Sequence, residues 1–182
     1  MASVRCAFWA AVLGAAAADV RPALEKTLAD LRLDYVDLYL IHWPQCFAKE
    51  SDGNRSIPRN EDGSIKYDLA TPSAKTWSAL DQCVDAGLTR SIGLSNFNSE
   101  QIAGVCDGAR IQPAVLQVEI HPYHSQQPLV AFCQERDIVV TAYSPLGTGA
   151  VIDGSTVVGN PVLKEIGEKY GKSSAQVAIC WL

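Results

Sequence analysis

Apolar residues Leu24, Leu28 and Leu31 recur at helical spacing behind Asp19, a cap-forming residue, and Pro22, which suits a first turn; Leu33 closes the segment. The pattern then changes abruptly. Residues 34–43 read DYVDLYLIHW, a nearly continuous run rich in Tyr, Val, Ile and Leu, as expected of a strand buried on both faces. From 44 to 72 the chain is polar and punctuated by Pro44, Gly53, Pro58, Gly63 and Pro72, which predicts a loop.

A second helix is expected from Ser73, with Trp77, Leu80 and Val84 on one stripe and Gly87 in a left-handed position at its end. Strands follow at 91–97, 114–120 and 138–146. Asn98 with Gln101 has the form of a capping box opening a helix through Cys106. Pro128 fits the first turn of a helix carrying Leu129, Val130, Phe132 and Cys133 inward. Asn160-Pro161 opens another, with Leu163, Ile166 and Tyr170 inward and Gly171 at its end, and Ser173 with Gln176 opens the last. Buried-type strands alternating with helices imply an α/β fold with a parallel sheet, either doubly wound or part of a (βα)8 barrel.

Charge narrows the function classes. Fifteen Lys or Arg against twenty Asp or Glu leave −5 at pH 7 over 182 residues, which disfavours a nucleic-acid binder that must neutralise phosphates. No internal apolar run reaches the roughly 18 residues of a membrane-spanning helix. The six cysteines, at 6, 46, 83, 106, 133 and 180, include no CxxC pair and read as isolated thiols. Residues 1–18, MASVRCAFWAAVLGAAAA, differ from the rest: one charge at Arg5, an apolar stretch, then small residues, the outline of a secretory signal or an unrelated start. We therefore treat 19–182 as the domain and 1–18 as an atypical segment. Asn54-Arg55-Ser56 is a formal glycosylation sequon that matters only in a secreted chain.

Both candidate architectures place active sites at the carboxyl ends of the strands. Those ends carry His42-Trp43, Ser95-Asn96, Gln117 with Glu119, and Tyr143-Ser144. Other signals are weaker. GEKYGKS (167–173) has three residues between its glycines where a phosphate loop needs four, and it follows a helix. His121 and His124 lack a spaced third metal ligand, so a structural use is favoured and no metal is expected. Asp34 and Asp37 point opposite ways along a strand, Glu119 is expected to hold backbone or a basic neighbour, and Gly147-Thr148-Gly149 is either phosphate-contacting backbone or an ordinary turn.

The segments LDYVDLYLIHWP (33–44), GLTRSIGLSNFN (87–98), PAVLQVEIHPY (113–123) and VTAYSPLG (140–147) closely resemble the aldo-keto reductases, particularly the aldehyde reductase (NADP-dependent alcohol dehydrogenase) branch. The resemblance implies approximately strands 4 to 7 of a (βα)8 TIM barrel and NADPH-dependent reduction of aldehydes and ketones to alcohols. It implies that His42 orients the substrate carbonyl and Trp43 lines the substrate pocket. Ser95, Asn96 and Gln117 would hold the nicotinamide carboxamide, the Tyr143 ring would stack on the nicotinamide, and Ser144 and Leu146 would begin the pyrophosphate loop.

The same resemblance implies that the first three strands and the last are absent, and with them the family's proton-donating Tyr, its Lys and Asp partners and the segment gripping the adenosine 2'-phosphate. Tyr35 and Tyr39 lie on the strand face opposite His42, which leaves His42 as the local proton donor. The expectation is a chain that is truncated and catalytically impaired, folds poorly alone, or associates with itself through open barrel edges. A non-catalytic cofactor-binding or interaction module is the rival reading. The isolated thiols and the family point to a cytoplasmic protein, the signal-like start to a secreted one.

Overall fold

The computed structural model describes residues 17–48, 58–152 and 154–182. All but the last two residues of the signal-like segment lie outside them, as does the Asn54 sequon. The chain divides into two compact units, Met1–Leu116 and Gln117–Leu182.

In the first unit, helix α1 (Ala17–Leu31) buries Val20, Leu24 and Leu28 at four-residue spacing and carries the pairs Arg21–Glu25 and Lys26–Asp30 on its exposed side. Asp19 sits inside its first turn, where a carboxylate favours the helix dipole, and does not precede the helix as a cap. Strand β1 (Val36–Ile41) follows. The predicted loop over 44–72 holds two short strands, β2 (Cys46–Phe47) and β3 (Tyr67–Asp68), paired antiparallel. Two residues are too few for a period-two pattern to be legible.

Helix α2 (Ser73–Asp85) buries Trp77 and Leu80 together with Thr76, Asp81 and Cys83, while Val84, expected inward, is half-buried. The Trp77 indole N–H donates to the Ile111 carbonyl at 2.9 Å, satisfying the one polar atom of a ring 1% exposed. Gly87 follows with φ +71°, as expected. Strand β4 (Thr89–Ser95) runs parallel to β1, in register from Val36 opposite Thr89 to Ile41 opposite Leu94. Helix α3 (Ser99–Cys106) begins with the expected capping box: the Gln101 N–H donates to Asn98 at 2.8 Å and the Asn98 N–H to Gln101 at 3.0 Å.

Strand β5 (Val115–Glu119) straddles the division of the chain. The second unit adds helix α4 (Gln127–Gln134), strand β6 (Val139–Tyr143), a 3-10 turn over Gly147–Gly149, and helices α5 (Pro161–Tyr170) and α6 (Ser174–Trp181). The strand order is β1-β4-β5-β6. In α4 only Cys133 is fully buried, with Leu129, Val130 and Phe132 half-buried. Asn160 caps α5 by accepting from Val162 N and Leu163 N.

The inward face of α5 is Leu163 and Gly167, packed with Val157 and Ala178. Ile166 and Tyr170, expected inward, are 39% and 65% exposed. A Cβ on Gly167 would lie 2.4 Å from the Lys172 carbonyl oxygen, so this glycine lets the following backbone close onto the helix and turns the face away from 166 and 170. The same contact gives a packing reason for a glycine in GEKYGKS. Among the described residues no helix is long and apolar enough to cross a membrane.

Candidate functional site

In the first unit the β1–β4 register positions the strand-end residues. Leu40 stands opposite Gly93, and a Cβ on Gly93 would lie 2.7 Å from Leu40 Cδ2 and 2.5 Å from the Val115 carbonyl oxygen. Leu40 therefore lies across the bare backbone of Gly93. One alternation further along, the same face carries His42 and Ser95. The chain then leaves the strand at Asn96, which has φ +62°, a conformation Asn tolerates better than most residues.

That backbone twist aims the Asn96 amide at its neighbours. Nδ2 donates to the His42 carbonyl at 2.8 Å and lies 3.2 Å from Ser95 Oγ, tying the ends of β1 and β4 together. Beyond them the Ser73 hydroxyl donates to the Pro44 carbonyl at 2.8 Å, fixing the segment that carries His42 and Trp43. Ser95 is buried and Trp43 is 40% exposed; the His42 and Trp43 rings sit 5.6 Å apart at 42°. Burial pushes the His42 imidazole below its ordinary pKa. At neutral pH it is an uncharged hydrogen-bonding ring, which suits orienting a carbonyl better than delivering a proton.

In the second unit, Gln117 lies half-buried in the middle of β5, two residues before Glu119 on the same face. Tyr143 ends β6, and its carbonyl accepts from Ile120 N at 3.4 Å. Burial, and then the charge of Glu119, push the Tyr143 phenol upward, so it stays protonated. The chain after it is concentrated in left-handed backbone: Ser144 at φ +48°, Gly147 at +69°, Thr148 at +52° and Gly149 at +80°. The Gly147 N–H donates to the Ser144 carbonyl at 2.8 Å, closing the turn. Leu146 packs against the Val157, Leu163 and Ala178 core.

Near that turn lies a residue for which the sequence favoured a structural use without showing its partners. His121 is 5% exposed, with Nε2 3.6 Å from Glu119 Oε1 and a ring carbon 4.0 Å from where a Gly147 Cβ would stand. Reciprocal backbone hydrogen bonds join it to His124, at 3.2 and 2.7 Å. No group of three His, Cys, Asp or Glu placed to hold a metal occurs among the described residues. The available signal was the spacing of Glu119 and His121, two apart at a strand end and so on one face.

A family model described as the aldo/keto reductase family matches residues 9–182. The chain belongs to the aldo/keto reductase family. It is 50% identical over 167 residues to aldo-keto reductase family 1 member A1 of Gallus gallus and 49% identical to that of Homo sapiens, in each case over 90% of this chain and 50% of the relative. A solved aldose reductase from Schistosoma japonicum is 39% identical with a TM-score of 0.81, over 93% of this chain and 52% of the other. The chain thus spans about half the length of the family members it matches. Its strands are a stretch of TIM-barrel architecture, the alternative that periodicity had left open beside a doubly wound sheet.

Proposed function

We propose that this chain carries the nicotinamide-binding part of an NADPH-dependent carbonyl reductase acting on aldehydes or ketones. The observation that carries the reading is the Asn96 bond to the His42 backbone carbonyl, which fixes an amide and a hydroxyl beside the backbone of His42 at two adjacent strand ends. A carboxamide needs paired donors and acceptors, and Ser95, Asn96 and Gln117 are of that type. Tyr143, kept neutral, offers a flat face for an aromatic ring. The left-handed backbone of 144–149, open around Gly149, fits phosphate-contacting N–H groups. Bound NADPH would supply the hydride; His42 would direct its N–H at the substrate oxygen, and Trp43 would wall the substrate.

The dispersed cysteines, none in a CxxC pair, support a cytoplasmic setting. The test is NADPH titration of the purified chain by protein fluorescence, with sedimentation on the same sample and aldehyde-dependent loss of reduced-nicotinamide absorbance. Saturable binding weakened by Asn96→Ala, with turnover abolished by His42→Ala, is the expected result. A folded sample that ignores NADPH would overturn the reading.

A second reading, self-association through the β6 edge, rests on a groove of about 790 Å³ lined by Val130, Ile138 and Val139 together with the polar Gln127, Gln134 and Asp137, with Val139 63% exposed. Concentration-dependent sedimentation weakened by Val139→Lys supports it; a monomer at all concentrations excludes it.

A further inference from the structure

Resting on the dinucleotide-binding reading above, we propose that His121 is a positioning residue, held by Glu119, that props the 144–149 turn in the shape needed to receive a phosphate group. Four of the six residues in this turn are left-handed, and two of those, Ser144 and Thr148, are not glycine. Such backbone persists only where its surroundings impose it. Two groups close on the underside of Gly147: Val157 Cγ2 would be 2.9 Å and His121 Cδ2 4.0 Å from a Cβ placed there.

Val157 supplies packing alone, but His121 is a polar ring in a buried place. Its Nδ1 has no hydrogen-bond partner among the described residues, an arrangement that works against stability. An apolar side chain of similar size would fill the space without that penalty. What the imidazole adds is its Nε2, 3.6 Å from Glu119 Oε1, while the Glu119 carbonyl accepts from Gln126 Nε2 at 2.8 Å. The Glu119 carboxylate thus stands beside the imidazole on the strand that leads to it, and the ring comes against Gly147, whose N–H closes the turn onto Ser144.

The experiment compares the 182-residue wild type with His121→Ala, His121→Gln and Glu119→Gln. Three quantities are read: affinity for NADPH, affinity for benzyl-dihydronicotinamide, which has the nicotinamide but no phosphate, and backbone amide exchange over 144–149 against α2 as control. His121→Ala is expected to weaken NADPH by about tenfold and to speed exchange over 144–149. The phosphate-free probe and α2 should stay within about twofold of wild type. His121→Gln should recover part of the loss. If His121→Ala does not fold, Glu119→Gln carries the test, with the same split between probes in smaller measure.

NADPH affinity and turn exchange unchanged within about twofold would overturn the proposal, as would equal weakening of both probes. Wild type that binds neither probe defeats the dinucleotide reading and the phosphate half of this inference with it. Faster turn exchange in His121→Ala would then still establish the support role, and unchanged exchange would remove it.

Discussion

Replacing Asn96 separates what this residue does for the fold from what it does for the site. Asn96→Ala removes the 2.8 Å hydrogen bond to the His42 carbonyl, a loss of about 1 kcal/mol for a partly buried pair. It also leaves a Cβ-bearing residue at φ +62° without the polar side chain that makes this conformation tolerable, a further penalty of about 1 kcal/mol. Asn96→Gly loses the same hydrogen bond but adopts the left-handed backbone freely. Glycine should therefore lie about 1 kcal/mol below wild type in stability, and alanine about 1 kcal/mol below glycine. Urea denaturation followed by tryptophan fluorescence and circular dichroism reads the difference as a shift in midpoint at constant slope. NADPH affinity should not follow that order, because both variants lack the amide. Alanine as stable as glycine, or a glycine variant that keeps full NADPH affinity, would refute the reasoning.

Two further outcomes follow from the same strands. Gly93→Ala places a methyl against backbone, 2.5 Å from the Val115 carbonyl oxygen; because backbone cannot move aside cheaply, a loss of about 1 to 3 kcal/mol is expected in chemical denaturation, and an unchanged midpoint would show that β1, β4 and β5 are less closely apposed. For His42, burial lowers the folded-state pKa, so the unfolded chain takes up the proton first. Its contribution to stability is complete above the ordinary value near 6.5 and is lost as pH falls through that value toward the lower folded one. Urea midpoints at about pH 7.5, 6.5 and 5.5, spanning the ordinary histidine pKa, should fall less steeply for His42→Gln than for wild type; parallel profiles would contradict a half-buried, neutral His42.

Local signals read off the sequence survived folding where their physics is local. The Asn98 and Ser173 capping boxes close through three-residue hydrogen bonds, and Gly87 and Gly171 take left-handed φ because a helix end demands it. The order of strands and helices, and the residues standing at the strand ends, followed from hydrophobic runs and from the four family motifs. Neighbours distant in sequence decided what the patterns could not. The Lys172 carbonyl on Gly167 rotated α5 so that Ile166 and Tyr170 face outward. A two-residue ladder appeared in what read as loop, because β2 and β3 pair with each other across an intervening sequence that carries no period.

The site divides in the same way. His42, Ser95 and Asn96 were named by type and position, but that the Asn96 amide bonds the His42 carbonyl depends on the β1–β4 register and on a left-handed φ. A structural use was expected for His121, but that its ring carbon comes 4.0 Å from where a Cβ on Gly147 would stand, twenty-six positions on in the sequence, was decided by packing. The amino-acid order determined which chemistry each strand end offers. Only the tertiary structure determined which of those groups lean on one another, since register, backbone twist and close approach are set by packing between segments.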